Sequence, residues 1–399
     1  MNPEINALAE RAIIAGDVAA LETLFRENEA VLRQGALEAS GIEGLPPHFS
    51  SSDIKSIIAE KNNFSTWDEF AVFARERADE SSPTARFEAA VDAIVRGDEA
   101  TLDGLLRAHP ELVHARSPRA HHSTLLLYVG ANGVEGFRQK TPKNAARIAQ
   151  RLIDAGANVN AVGDMYRGTT TIGLVATSVH PVTAGVQAEI IDVLMKAGAS
   201  LDRAVASDYT DGLVVNACLA NGRGEGAQIV AAHGATLDLE GAAGVGRLDV
   251  VKTFFDGGGR LKPNASSHQM AAGAFWACQY GHRDVVDYLL ERGLDVTSGR
   301  RGETVLHGAA LGGHPDIVRT LIARGAPIDV RDPSYRATPL GWAIWGLCHR
   351  SPEVPAERYY EVVGQLVAAG APIEDDWLAE ETISSDSKLV AALTRRDRA

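Results

Sequence analysis

The sequence predicts an all-α solenoid. Three observations carry the prediction: a helix ending that recurs along the chain, pairs of apolar residues four apart ahead of that ending, and small residues on the helices between. The ending reads Leu152-Ile153-Asp154-Ala155-Gly156-Ala157, and returns as Leu194-Met195-Lys196-Ala197-Gly198-Ala199, Leu321-Ile322-Ala323-Arg324-Gly325-Ala326 and Leu366-Val367-Ala368-Ala369-Gly370-Ala371. Self-similarity of this kind marks a repeat array, and such an array absorbs 399 residues without dividing into separate globular bodies. The paired positions, Val285/Val286 with Leu289/Leu290 and Ile317/Val318 with Leu321/Ile322, put one apolar stripe on each outer helix. One unit cannot bury its own stripe, whereas a stack of units can.

The most complete unit runs from Glu303-Thr304-Val305-Leu306-His307-Gly308-Ala309-Ala310 through Gly313-His314-Pro315-Asp316-Ile317-Val318 to Gly325-Ala326. It resembles the ankyrin repeat, whose first helix opens on a T-x-L-H tetrad and whose second helix stops at a glycine before a hairpin. Gly281-His282-Arg283-Asp284-Val285-Val286 through Gly293 copies the latter half. The resemblance covers roughly residues 85 to 377 and is similar to bacterial ankyrin-repeat proteins with elongated repeats and no assigned activity. It implies an ankyrin-repeat array with short β-hairpin fingers and helical caps.

Along the chain, Ala12-Ile13-Ile14-Ala15-Gly16-Asp17 aligns with Ala93-Ile94-Val95-Arg96-Gly97-Asp98 at an offset of 81 residues, so both stretches read as degenerate helix pairs. Between them, prolines 46 and 47 precede apolar helical positions at Ile54, Ile57 and Ile58 and a second helix with Trp67, Phe70 and Phe73 on one face, capped by Ser65 or Thr66. Residues 1–80 are expected to form a helical N-terminal cap, residues 81–377 an ankyrin domain of about eight units, and residues 378–399 a capping helix with Leu389, Val390 and Leu393 inward. Taking the helix-ending glycine as a ruler places stops at Gly156, Gly198, Gly234, Gly258, Gly293, Gly325 and Gly370. The unit ending at Gly258 is short and lacks a full hairpin. Three units are long, with added loops at Glu135 to Lys143, Val179 to Gln187 and His349 to Glu357, each containing proline.

Composition narrows the class of protein. Hydrophobic residues at 45% and charged residues at 23% match a folding chain. The formal charge of −13 opposes long-range attraction to nucleic acid or anionic membranes, so neither is expected as a partner. Cys218, Cys278 and Cys348 are widely spaced inside apolar helical runs, which predicts buried, reduced thiols in a cytoplasmic protein. No secretory leader pattern is present, and no apolar run approaches the roughly 18 residues that span a bilayer. A monomer is expected.

Candidate site residues fall into three groups. The hairpin tips place tyrosine beside charge at Asp164, Tyr166 and Arg167, at Asp208 and Tyr209, and at Tyr335 and Arg336. Tyrosine and arginine favour interfaces because they combine contact area with directed hydrogen bonds. The long loops contribute His180, and Glu135, Arg138, Lys140 and Lys143 around Phe137, a set that reads as an anion site or as a solvated insertion. Tyr128 and Trp345 are expected to face the concave side, with Trp276 and Trp342 on inner helices. His307, His282 and His314 read as braces between repeats.

Catalytic patterns are thin: GxSxG, HExxH, Walker A and paired-cysteine metal motifs are all missing from the sequence. His121-His122 has no further metal ligands at a recognised spacing, and the glycines at 244–246 and 257–259 do not follow a predicted strand. No catalytic, cofactor-binding or metal-binding residue is assigned. The expected function is non-enzymatic binding of a protein partner through the fingers and concave inner-helix face. The alternative is an enzyme or small-molecule receptor with a pocket built from that face and the long loops.

Overall fold

The computed structural model describes residues 3–28, 50–202, 204–206, 210–350, 354–374 and 377–394. Their regular structure is helical apart from two short antiparallel hairpins, Val162–Gly163 with Thr169–Thr170 and Gly299–Arg300 with Glu303–Thr304, and two isolated bridges. The chain divides into two compact units, Met1–Ala217 and Cys218–Ala399.

The first unit opens with the helices Pro3–Ala15 and Val18–Glu27, then Ser51–Lys61 and Trp67–Ala78. Ser50 and Thr66 close reciprocal capping boxes with Asp53 and Glu69, which satisfies backbone amides that a helix start leaves open. Thr66, of the two candidates, is therefore the cap of the second of these helices. Leu21, Ile54, Ile58, Phe64, Phe70 and Phe73 are buried together, and every apolar residue of this cluster lies between residues 9 and 74. Prolines 46 and 47 lie outside the described residues.

The helices Pro83–Arg96 and Glu99–Ala108 follow, joined at a left-handed Gly97. The next unit has a short 3₁₀ helix, Leu125–Gly130, in place of an inner α-helix, and Ala145–Asp154 as its outer one. The insertion between them is not a solvated loop, because Glu135 and Arg138 are buried. The second insertion is helical: Val179–Ala184 is capped by Ser178 and stopped by a left-handed Gly185. Pro181 fits because it stands in the first turn, where no intrahelical bond is lost. In the third, residues 351–353 lie outside the described residues and Pro355 caps Ala356–Ala368.

In the second unit, the inner helices Leu239–Gly244, Ser267–Tyr280, Val305–Leu311 and Pro339–His349 pack in series. The outer helices Leu248–Thr253, Arg283–Glu291, Pro315–Ala323 and Ala356–Ala368 bury the expected stripes, with Val285, Val286, Leu289, Ile317, Val318 and Leu321 fully enclosed. Close approach needs small residues: a methyl group at Gly308 would stand 2.6 Å from the Phe275 carbonyl oxygen. Histidines brace this series. His282 Nε2 pairs with the Gly244 carbonyl at 3.1 Å and His314 Nε2 with that of Gln279 at 3.0 Å. His307 Nδ1 meets the Thr304 amide at 3.0 Å, and its Nε2 faces the Ala337 carbonyl at 3.3 Å. Burial holds all three imidazoles below their ordinary pKa.

The glycine ruler misplaces one stop. Gly156, Gly198, Gly234, Gly293, Gly325 and Gly370 all have positive φ, but in the run 257–259 only Gly259 does. That glycine belongs to the turn after the Phe255–Leu261 bridge begins, while the outer helix already ends at Thr253, with Phe254 as its C-cap. The contraction of this unit lies in its helices of six residues each, and no strand forms between Gly234 and Leu239. Cys218 and Cys278 are buried as expected, whereas Cys348 is exposed in the last turn of Pro339–His349.

Candidate protein-binding face

In the second unit, the site grows from one buried carboxylate. Asp332 Oδ1 accepts the amides of Ser334 at 2.9 Å and Tyr335 at 2.7 Å; Oδ2 accepts Ala337 N and Trp342 Nε1, both at 3.0 Å. Burial opposes its ionisation, but these four donors outweigh burial and hold the carboxyl below its ordinary pKa. The turn they shape presents Tyr335 with 82% of its surface in solvent, beside an exposed Arg336 whose φ of 54° is left-handed. Asp332 thereby joins Tyr335, Arg336 and Trp342 in one construction.

The Trp342 ring packs edge-on against Phe275 and His307, with centroids 6.3 and 5.3 Å away. Three residues on, Trp345 is 57% exposed and stacks on His349 at 4.2 Å. Trp276 donates from Nε1 to Glu240 at 2.9 Å, lies 4.7 Å beneath the Arg300 guanidinium and stacks with Tyr280. Burial pushes the Glu240 carboxyl up, against the Trp276 bond and the Arg300 charge. The neighbouring finger turns through Arg301 and Gly302, both at positive φ, as a two-residue hairpin between strands of right-handed twist requires.

In the first unit, the tip Asp164 to Gly168 is tied to the loop before it. Asp164 Oδ2 meets His122 Nδ1 at 2.7 Å, and Tyr166 donates its hydroxyl to Asn132 Oδ1 at 2.7 Å. Arg116 Nη1 donates to the carbonyls of His122 and Val162. Tyr166 and Arg167 are both left-handed, and Tyr166 remains 59% exposed. His180 is half-buried at the start of the inserted helix, where its amide donates to Ser178 Oγ.

One expectation meets different surroundings. Tyr128 is buried in the core of the first unit, its hydroxyl 3.4 Å from Glu135 Oε1, with burial pushing its ionisation far up. It presents no surface to a concave face, because the 3₁₀ turn that carries it is wholly enclosed. Asp208 and Tyr209 lie outside the described residues. Sequence reasoning missed Glu240 and Arg300 as partners of Trp276; an acid or base 24 to 36 residues from an indole leaves no local pattern. A groove of about 430 Å³ lined by Arg11, Phe70, Phe73 and Arg77 among others lies in the N-terminal helices. Among the described residues no cluster of three or more His, Cys, Asp or Glu is placed to hold a metal ion, and no helix is long and apolar enough to cross a membrane.

Residues 274–372 match the family model for ankyrin repeats in three copies. The chain thus carries ankyrin repeats, a general protein–protein interaction module, and its fold is of the all-α ankyrin type. It is 44% identical to the E3 ubiquitin-protein ligase hecd-1 of Caenorhabditis elegans over 57 residues, 14% of this chain and 2% of that protein. It is 43% identical to the E3 ubiquitin-protein ligase Ufd4 of Drosophila melanogaster over 65 residues, 16% of this chain and 2% of that one. It is 36% identical to the putative palmitoyltransferase ZDHHC13 of Danio rerio over 88 residues, 21% and 14% of the two chains. The chain therefore spans only a small part of the length of these relatives. Among solved structures, the human ASB11 ankyrin repeat domain aligns at 20% identity and a TM-score of 0.36, over 73% of this chain and 100% of that one.

Proposed function

We propose that this chain is a non-enzymatic binding module that grips a protein partner with its finger tips and the exposed aromatic residues of its inner helices. The observation that supports this reading most directly is the Asp332 construction, which fixes Tyr335 and Arg336 outward and ties them to Trp342, one helical turn before the exposed Trp345. Tryptophan, tyrosine and arginine dominate binding energy at interfaces, and a tip already held by hydrogen bonds gives up less freedom when it binds. Asp164, Tyr166 and Arg167 supply a second set on the first unit. The module acts as a monomer, and its three free thiols suit the reducing cytoplasm.

Photo-crosslinking in the source cell tests the reading. A photoreactive amino acid in place of Tyr335 or Trp345 is expected to trap the same partner, and one in place of Glu291 on an outer helix is not. Equal trapping at all three positions would refute the finger model.

A further inference from the structure

The N-terminal helices meet the first repeats through a cation. Arg119 has no exposed side-chain surface. On one side its guanidinium lies 4.3 Å from the centre of the Phe73 ring and 5.6 Å from that of Phe64. On the other it pairs with Glu88, Nη1 to Oε1 at 2.8 Å, and with Glu135. Arg138 completes the arrangement, meeting Glu88 at 2.8 Å, Asp92 at 2.6 Å and Glu135 at 3.7 Å. Two buried guanidinium groups thus face two buried carboxylates, with Asp92 half-exposed at the edge.

The asymmetry of these contacts matters. Among the described residues all the countercharge for Arg119 comes from the repeats, whereas residues 3–28 and 50–78 offer it only ring faces and, through the adjacent Ala120 amide, the Asn63 carbonyl at 2.9 Å. Arg77 and Asp92 add one looser ion pair at 3.8 Å, Glu76 accepts from the hydroxyls of Ser82 and Thr84 at 2.6 Å, and Trp67–Ala78 packs on Pro83–Arg96. Meanwhile residues 3–28 and 50–78 are held together from within: among the described residues their apolar cluster draws on none beyond 74, and Asn62 Nδ2 ties the Ile13 carbonyl at 3.0 Å. Pulling these helices away would return a cation and two ring faces to water without breaking that cluster. A cation regains hydration when it is uncovered, which offsets part of the lost contact.

We propose that residues 3–28 and 50–78 form a lobe that docks on the first repeats as one body, pinned by Arg119, and that leaves as one body when the pin is withdrawn. Undocking bares Phe64, Phe73 and the Arg119 guanidinium together. The lobe is then a movable cover over the end of the array rather than a fixed terminal repeat.

Spin-label distance measurements on the full chain test this, with Cys348→Ser removing the exposed thiol. One pair, Lys61→Cys with Ala108→Cys, reports lobe against repeats; a second, Thr23→Cys with Lys61→Cys, reports the lobe alone. The first pair is expected to give one narrow distance with Arg119 present. Arg119→Met leaves buried carboxylates short of a countercharge, so the undocked fraction rises about a hundredfold or more, and the distribution broadens to longer distances. The second pair stays narrow throughout. Arg119→Lys keeps the charge but cannot reach both carboxylates and both rings at once, so it gives an intermediate distribution and decides the matter if the Met variant fails to fold. An unchanged first pair in the variant read would overturn the proposal, as would broadening of both pairs, which means that the helices unfold rather than undock.

Discussion

The Trp342 indole donates its N–H to the Asp332 carboxylate at 3.0 Å, and that bond links an inner helix to the finger tip immediately before it. The same carboxylate also gathers the amides of Ser334, Tyr335 and Ala337, so the exposure of Tyr335 depends on a residue that is itself out of reach of solvent.

Asp332→Ala leaves these donors without their acceptor and is expected to cost about 1–3 kcal/mol in a denaturant titration. The pH dependence has a definite sign. Because the folded carboxyl lies below its ordinary pKa, its contribution is full above the unfolded value of about 3.9 and is lost as pH falls through the folded one. The native protein should therefore lose more stability on acidification below about pH 4 than the Ala variant does.

The three bracing histidines act at higher pH. Burial depresses their folded pKa, so the unfolded chain binds more protons below about pH 6.5 and stability declines as pH falls from there toward the folded values. Thermal unfolding between pH 8 and 5 should show this decline, and His314→Gln should reduce it. A native midpoint that is flat over that range would contradict the burial of these rings.

Core and surface positions separate clearly. Leu289→Ala and Leu321→Ala each empty a fully enclosed site and should destabilise by about 2–5 kcal/mol. Trp345→Ala, on an exposed ring, should stay within about 0.5 kcal/mol while weakening partner capture. Urea midpoints for the three variants check the contrast.

Two glycines make a sharper pair. Gly308→Ala drives a methyl group toward the Phe275 carbonyl and should cost about 1–3 kcal/mol. Gly364→Ala, inside the helix Ala356–Ala368 with no neighbouring atom within 4 Å, should instead add about 0.4–1 kcal/mol. Equal effects would mean that the inner helices are not in close contact at Gly308.

Much of the fold was legible because its signals are local. Leu321 and Gly325 lie in one helical turn and its stop, so their spacing reports both the buried stripe and the left-handed ending. The stop near Gly258 was misread because three successive glycines carry equal conformational freedom and only the surrounding bridge selects Gly259. Tyr335 and Arg336 were legible as a polar turn between predicted helices. Tyr128 was not, since a tyrosine reads as amphipathic whether its hydroxyl meets water or, as here, Glu135. Nor were Arg119 and Arg138 as buried cations: their carboxylates stand up to 50 residues away, and hydrophobic periodicity carries no trace of matched charges.

The Arg119 arrangement also bears on how the chain is assembled and how it tolerates change of length. Glu88, Arg119, Glu135 and Arg138 come from separate segments of the first repeats, and none can seat its share of the charge until the others arrive. Folding around that point is all-or-none. In the Cys218–Ala399 unit, by contrast, His282 reaches only to Gly244 and His314 only to Gln279, each one repeat back, so order can spread from any repeat to the next. The first arrangement is a closed knot, intolerant of an inserted or deleted segment. The second is an open lattice, where a whole repeat can be gained or lost with its neighbours still matched.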